Sequence, residues 1–513
     1  MLLADLVEAS RVVGATRSRT AKTAALAAAL AAAEPDEVET ATSYLSGALR
    51  QRRTGLGWRS LTSLPEPAAA SSLTVADVHA AFEEISAVSG PGSQARRATL
   101  TGALFGAATA EEQTYLRRLV AGELRQGALD GLMLEAVAVA AGVPAATVRR
   151  AAMFAGSTLP VAAAALTGGT AALAGFGLQP GRPLRPMLAS SANDVDEAMA
   201  RAAPVGHPVA VDCKLDGIRI QVHKQHGQVR VFTRSLEDIT DRVPEVTEAV
   251  AALPSGVLVL DGEAIALGEE GRPRPFQETG ARTASHLDVA MLRARVPLTP
   301  YFFDLLHVDG EDLVDAPGRE RLARLSALLP PELVVARTVT ADPATARRMF
   351  ADVVRAGHEG VVVKGLEAPY DAGRRGAAWV KVKPRHTLDL VVLAVEWGSG
   401  RRRGWLSNIH LGARDLSAGG TGFVMLGKTF KGMTDEMLAW QTERFLGLEE
   451  SRTAHVVTVR PEQVVEVAFD GIQTSTRYPG GMALRFARVL RYRDDKTAEE
   501  ADTIETVRAL RTP

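Results

Sequence analysis

The chain changes its hydrophobic period once, and that change limits what it can fold into. From Leu2 to about Gly175 apolar residues recur every three or four positions, with alanine-rich stretches such as Ala24 to Ala33 and Pro or Gly between them. That pattern predicts helices throughout. From Val209 onward, β-branched runs at Ile218 to His223, Val229 to Thr233, Val257 to Leu260 and Val361 to Lys364 alternate with helical stretches, which predicts α+β. Beyond Pro384 the runs Leu388 to Val395, Gly422 to Leu426, Ala454 to Val459 and Val464 to Phe469 read as strands of a small β-barrel. Gly177 to Pro186, rich in Pro and Gly, reads as an extended linker. At 513 residues the chain is too long for one hydrophobic core. The expected organisation is a multidomain one: all-α over 1–176, a linker over 177–190, α+β over 191–384 and a β-barrel over 385–513.

Composition excludes little but directs the search. A net charge of −1 means that any nucleic-acid affinity must come from local basic faces. The one cysteine, Cys213, excludes an intrachain disulfide and a Cys-rich zinc module, and suits a reducing compartment. Without a His-bearing partner motif, Cys213 reads as a small buried residue rather than a nucleophile. Met1-Leu2-Leu3-Ala4 runs into Asp5 and Glu8, so no secretory signal is expected. Pro160 to Gly177 is nearly uncharged, but Gly168-Gly169 breaks it, so short core helices are expected and no membrane span.

Chemistry enters with Lys214-Leu215-Asp216-Gly217, the first of an ordered series. After it come Thr233-Arg234-Ser235, Leu260-Asp261-Gly262-Glu263, Tyr301-Phe302-Phe303-Asp304, Glu359-Gly360-Val361-Val362-Val363-Lys364 and Trp379-Val380-Lys381-Val382-Lys383. Arg485-Phe486-Ala487-Arg488, leading to Arg491, Arg493, Asp494, Asp495 and Lys496, ends the series. Taken alone, Lys214 would be a solvated surface lysine, Glu263 or Glu359 a surface charge, and Phe303 a core aromatic.

Read together they suit phosphoryl transfer. A free lysine titrates near ~10.4, so as a nucleophile Lys214 needs desolvation or nearby cations, which Lys364, Lys381, Lys383 and a bound Mg²⁺ would supply. Lys381 and Lys383 alternate along a strand-like run and could share one face. Glu263 and Glu359, each expected at a strand end beside glycine, are suited to Mg²⁺ with phosphate oxygens and water. One aromatic of the Phe303 run could lie against a purine. Arg117, Arg118 and Arg125 lie near a Gly-marked helix end, where arginines and backbone N–H groups suit phosphate, and Arg401-Arg402-Arg403 forms a second basic run. An ordinary solvated face remains open for both.

In this order the motifs resemble those of covalent nucleotidyltransferases, most closely ATP-dependent DNA ligases, and the resemblance spans nearly the whole chain. It extends to the Leu124-Arg125-Gln126-Gly127 and Arg185-Pro186-Met187-Leu188-Ala189 regions. The implied fold is a helical DNA-binding domain, an α+β nucleotidyltransferase (adenylation) domain and a C-terminal OB-fold. The resemblance implies that Lys214 forms a phosphoramidate with AMP and that Asp216 supports sugar or nick chemistry. Asp212 stands where the family usually has a glutamate reading the adenine amino group, one methylene shorter. Arg219 and Arg234 would contact ribose or phosphates, Glu263 the ribose or metal, and Phe303 adenine. Glu359 would hold metal. Arg375, Lys381 and Lys383 would bind phosphates, and Arg485 and Arg488 belong to the motif that closes over the triphosphate. Ala487 replaces the proline frequent in that motif.

The implied cofactors are ATP and Mg²⁺, with Mn²⁺ as a substitute, and the implied partner is nicked duplex DNA. The implied setting is a monomer in the cytoplasm, at the nucleoid in a bacterium. Replication, repair and recombination all use such chemistry. The alternatives are an RNA ligase or GTP-using capping-type enzyme, and a non-catalytic nucleic-acid-binding scaffold, which would be expected to have lost the lysine or the carboxylates. An NAD-dependent ligase would bring a four-cysteine zinc element that one cysteine cannot supply.

Overall fold

The computed structural model describes residues 1–51, 53–124, 126, 130–268, 271–284, 288–372, 375–416 and 422–510. The chain divides into two compact units, residues 1–349 with 362–381, and residues 350–361 with 382–513.

In the first unit the N-terminal region is helical, as its period predicts. The helices are Leu3–Ala15, Arg19–Ala31, Val38–Leu45, Val75–Ala87, Ser93–Gly106, Ala110–Val120, Asp130–Ala141, Ala145–Ala155 and Leu159–Leu173. Leu6, Leu26, Tyr44, Phe82, Phe105, Leu116 and Met133 close a single core between them. Reciprocal caps start two of the helices, Thr74 with Asp77 and Thr109 with Glu112. The uncharged stretch is broken at Gly169, which has φ 57 and ψ −144 inside Leu159–Leu173. Among the described residues no helix is long and apolar enough to cross a membrane.

Two five-stranded sheets follow. The strands are β1 Leu188–Ser191, β2 Val209–Lys214, β3 Ile218–Gln225, β4 Gln228–Thr233, β5 Leu258–Ala266, β6 Leu298–Val308, β7 Glu311–Asp312, β8 Arg337–Thr340, β9 Gly360–Gly365 and β10 Arg375–Val382. One sheet has the order β1-β10-β9-β2-β8, the other β4-β3-β5-β6-β7. The segment entering β8 joins them, since Val335 N–H donates to Phe302 O at 3.0 Å and Cys213 N–H to Ala336 O at 2.8 Å.

The second unit holds β11 His386–Trp397, β12 Leu406–Asp415, β13 Gly422–Thr429, β14 Glu449–Arg452, β15 Val456–Val459, β16 Val464–Phe469, β17 Gly471–Thr474, β18 Met482–Arg485 and β19 Arg488–Tyr492. Long β11 pairs with β12, β15 and β16, so one strand carries the curvature of the OB-fold sheet. Leu390, Ile409, Leu411, Leu438, Phe445 and Val467 fill its core.

The expected linker is extended but not a loose tether. Gly181 N–H donates to His223 Nδ1 at 2.9 Å, Leu184 N–H donates to Gln221 Oε1 at 2.8 Å, and Gln221 Nε2 donates to Leu184 O at 3.1 Å. Leu184 is buried. His223 must accept at Nδ1, so only the neutral ring fits. Burial, with Arg230 and His307 adding, pushes the His223 imidazole down to about 3.

The turn from β2 to β3 contains a second constraint, at Gly217. A Cβ there would overlap Ala264 O and Ile265 Cγ2 of β5. The glycine of the lysine motif is thus a close-approach position, and it sets the lysine-bearing turn against the second sheet.

Two outcomes are expected. Between about pH 6.5 and about pH 3 the unfolded chain binds a proton at residue 223 that the folded chain refuses, so stability falls with acidification through that window. His223→Gln should flatten the fall of Tm between about pH 6.5 and about pH 5 relative to the parent. Gly217→Ala should cost about 1–3 kcal/mol in urea unfolding, because the added methyl would overlap a β5 carbonyl and the Ile265 side chain.

Candidate active site

Because β9 and β8 flank β2, three charged side chains line up across one sheet: Lys364, Asp212 and Arg337. Asp212 and Arg337 are register partners. Arg337 donates to Asp212 through Nε at 2.5 Å and Nη2 at 2.8 Å, and Lys364 Nζ lies 2.8 Å from Asp212 Oδ2. Both cations also donate to the Phe303 carbonyl on β6, Lys364 at 3.0 Å and Arg337 at 3.1 Å. Burial alone would raise the Asp212 pKa, but Lys364 and Arg337 outweigh it and hold the carboxyl below its ordinary range. Burial pushes Lys364 down, against the opposing pull of Asp212.

Lys214 ends β2 two residues further on and is half-buried, as is Asp216 in the turn. Cys213, between Asp212 and Lys214 in sequence, is buried, and that burial, with Asp212 adding, pushes its thiol up to about 12.

Phe303 is half-buried and meets Trp379 edge-on at 5.9 Å between centroids. Lys364 Nζ lies 4.6 Å from the Phe303 centroid and 4.3 Å from that of Trp379. The neighbouring Phe302 is the core residue of the run.

Arg219 on β3 is engaged on all three nitrogens. It donates to Asp261 at 3.0 and 2.6 Å and to Met187 O at 2.6 Å, while Tyr370 Oη donates to Asp261 Oδ2 at 2.7 Å. Burial lowers the Arg219 pKa, but Asp261 and Tyr370 reverse that and leave it above the ordinary value. The guanidinium expected at ribose or phosphate is therefore committed to protein partners. Arg234, in contrast, is exposed just past β4.

Glu263 departs from expectation in placement, since it sits in the middle of β5 opposite Arg219 and Tyr301 rather than at a strand end. Glu359 does precede a strand, β9. The two glutamates fall in different compact units. Among the described residues no group of three or more His, Cys, Asp or Glu could hold a metal ion. A magnesium ion here would need phosphate oxygens and water to complete its shell, which is how that ion is held in phosphoryl-transfer sites.

Lys381 is the penultimate residue of β10, and Lys383 lies one residue past its end, not on the strand that was expected to carry both. In the second unit Lys383 pairs with Glu359 and lies 3.1 Å from Asp470 Oδ2, and Arg488 lies 3.7 Å from Asp470 Oδ1. Burial pulls the Lys383 pKa down, yet Glu359 and Asp470 hold it above its ordinary value. Gly360 has φ 129, and a Cβ there would overlap Val382 O, so the segment after Glu359 can pack against the residues leading to Lys383 only with glycine. Arg485 ends β18 beside Phe486, an exposed residue at φ 55. Further along, Arg493 and Lys496 bind Asp389 at 3.0 and 2.7 Å. The side chain of Arg375 lies outside the described residues.

Of the basic residues expected at DNA, Arg117 and Arg118 occupy the last turn of Ala110–Val120. That end is a C-terminal one, and the N–H groups of Ala121, Gly122 and Glu123 are spent on Arg117, Leu119 and Arg118 carbonyls. No helix N-terminus assists there, so phosphate would meet the arginine side chains alone. Arg125 and the side chain of Arg401 lie outside the described residues. Arg402 donates to Phe430 O at 2.5 Å, and Arg403 is exposed.

The motifs did not mark Arg337, Tyr370 or Asp470. Each acts on a partner from far away in sequence, and no local pattern announces it.

Known proteins are similar to this chain along its length. Residues 186–383 match the ATP dependent DNA ligase domain, residues 402–496 the ATP dependent DNA ligase C terminal region and residues 59–138 the DNA ligase N terminus. A probable DNA ligase of Nocardioides sp. is 65% identical over 515 residues, covering 99% of both chains. One from Kineococcus radiotolerans is 62% identical over 99% of this chain and 100% of its own. The solved structure named Pmar-Lig_Pre, 18% identical, shares the fold with a TM-score of 0.61 over 95% of this chain and 99% of its own. With all three ligase regions matched and relatives this similar from end to end, the chain belongs to the ATP-dependent DNA ligase family.

Proposed function

We propose that the protein seals nicks in duplex DNA and that Lys214 is the residue that carries AMP. The supporting observation is the cluster behind it: strands distant in sequence bring Asp212, Lys364, Phe303 and Trp379 together within two residues of the Lys214 position on β2. Neutral Lys214 Nζ attacks the α-phosphorus of ATP, an Nζ–P bond forms and the bond to pyrophosphate breaks. The adenylate then passes to the 5′-phosphate of the nick. Attack by the 3′-hydroxyl forms the phosphodiester and expels AMP. Such transfers rest on positioning and on electrostatic stabilisation of phosphate charge.

In this reading Asp216 assists the sugar or nick, and Lys381, Lys383, Arg375, Arg485 and Arg488 meet phosphate charge. Arg234 is offered to the ribose or phosphates from an exposed turn. Arg219 works indirectly, by fixing Asp261 and Tyr370. Phe303 supplies the aromatic wall for adenine. Magnesium, with manganese as substitute, would be held by Glu263 and Glu359 together with phosphate, and would neutralise charge on the transferring group. Residues 1–176 would form the DNA-binding domain and 177–190 the strap leading to an adenylation domain over 191–384 and an OB-fold over 385–513. Arg117, Arg118, Arg125, Arg401, Arg402 and Arg403 would contact the DNA backbone. A monomer working inside the cell at its DNA suits ATP use and the single reduced cysteine.

The test is incubation with Mg²⁺ and α-labelled ATP or α-labelled GTP, then denaturation. Label retained from ATP and released by nicked duplex supports the reading; label from GTP alone, or from neither, overturns it. Lys214→Ala should abolish both labelling and sealing. Arg485→Ala should slow protein–AMP formation by about 10²-fold while sealing of a pre-adenylated nick falls far less.

A further inference from the structure

The resemblance places a purine-reading carboxylate two residues before the lysine, and here that carboxylate is already occupied. Asp212 Oδ1 accepts Arg337 Nε, and Oδ2 accepts Arg337 Nη2 and lies 2.8 Å from Lys364 Nζ. The side chain is 3% exposed, against 10% for Arg337 and 5% for Lys364. A carboxylate with two cationic partners in a dry row has little left to offer a base amino group, and pulling it away would strand two buried cations. The same two cations also hold the Phe303 carbonyl, at 3.0 and 3.1 Å. The row therefore ties β6, which carries the aromatic wall, to β2, which carries Lys214. Arg337 is central to this tie, since it alone joins β8, Asp212 and Phe303 through one planar fork.

We propose that Arg337 and Asp212 are positioning residues for the aromatic wall of the nucleotide site, and that Asp212 anchors this wall instead of reading the purine. The inference rests on the reading that Phe303 faces the adenine. A consequence is that preference for ATP over GTP does not depend on the carboxylate at position 212.

The experiment is titration of protein–AMP formation with ATP, and separately with GTP, on the full-length protein. Its variants are Asp212→Glu, Arg337→Met, Arg337→Lys and Phe303→Ala, each checked for a cooperative melt. A base-reading carboxylate would gain reach from the longer glutamate, so Asp212→Glu would lower KM for ATP and sharpen the preference over GTP. An anchoring carboxylate would be overfilled, so KM for ATP should rise about tenfold with the ATP to GTP ratio unchanged. Arg337→Met should raise KM for ATP by about tenfold, more than it lowers kcat, and Arg337→Lys should recover part of that rise. Should Arg337→Met fail to fold, Arg337→Lys against the parent carries the same comparison. A lower KM or a changed nucleotide ratio in Asp212→Glu overturns the proposal, as does an unchanged KM in Arg337→Met when Phe303→Ala raises it. An unchanged KM in Phe303→Ala overturns both the inference and the aromatic-wall reading beneath it, while Lys214 labelling would still stand.

Discussion

A charge taken out of water must bring its partner with it, and the buried carboxylates Asp212, Asp261 and Asp304 each do so in the catalytic part of this chain. Asp212 is held between Lys364 and Arg337, Asp261 between Arg219 and Tyr370, and Asp304 by Arg321 at 2.8 and 3.2 Å. Removing the carboxylate of a set would leave an unpaired cation in a dry interior, at about 3–5 kcal/mol, so each set fixes the elements that carry it. Together they join both sheets, the helix Gly318–Leu328 and the segment around Tyr370. The half-buried turn of Lys214 is thereby placed on a frame that cannot shift without exposing one of these sets.

The same economy explains the acidic residues inside the motifs. Asp261 and Asp304 belong to runs that look catalytic in sequence, yet both are fully buried and serve arginines. Their neighbours Glu263 and Phe303, one or two positions away on the same strands, are half-buried. On β6 strand alternation turns Asp304 into the interior and leaves the adjacent Phe303 half-buried, whereas Asp261 and Glu263, two positions apart on β5, differ in burial along one face. In the second unit Asp470 gathers Lys383 and Arg488, two cations that the resemblance assigns to phosphate. A carboxylate there keeps those cations paired when no phosphate is present.

Much of this was legible in the linear chain because it rests on local physics. Helical period, β-branched runs and Gly-Gly breaks reproduce the order of elements, and the motifs of Lys214, Glu263 and Phe303 fall on β2, β5 and β6 of the first unit. What escaped has a common cause. Arg337 meets Asp212 across 125 positions, Tyr370 meets Asp261 across 109 and Asp470 meets Lys383 across 87, and no window contains both partners. The misplacement of Glu263 has a different origin: β5 continues past the glycine that reads as a terminator, because Gly262 has Tyr301 O and the Phe302 ring where a side chain would be.

The sequence by itself determined the identities and order of the groups, the succession of helical, mixed and β-rich regions, and the family, since each depends on residue type and short spacing. Tertiary structure alone decided which of those charges are offered and which are spent. Arg219 and Asp212 carry the same formal charges in either state, but burial makes partnership compulsory, and only the strand order that sets β9, β2 and β8 side by side determines who the partners are.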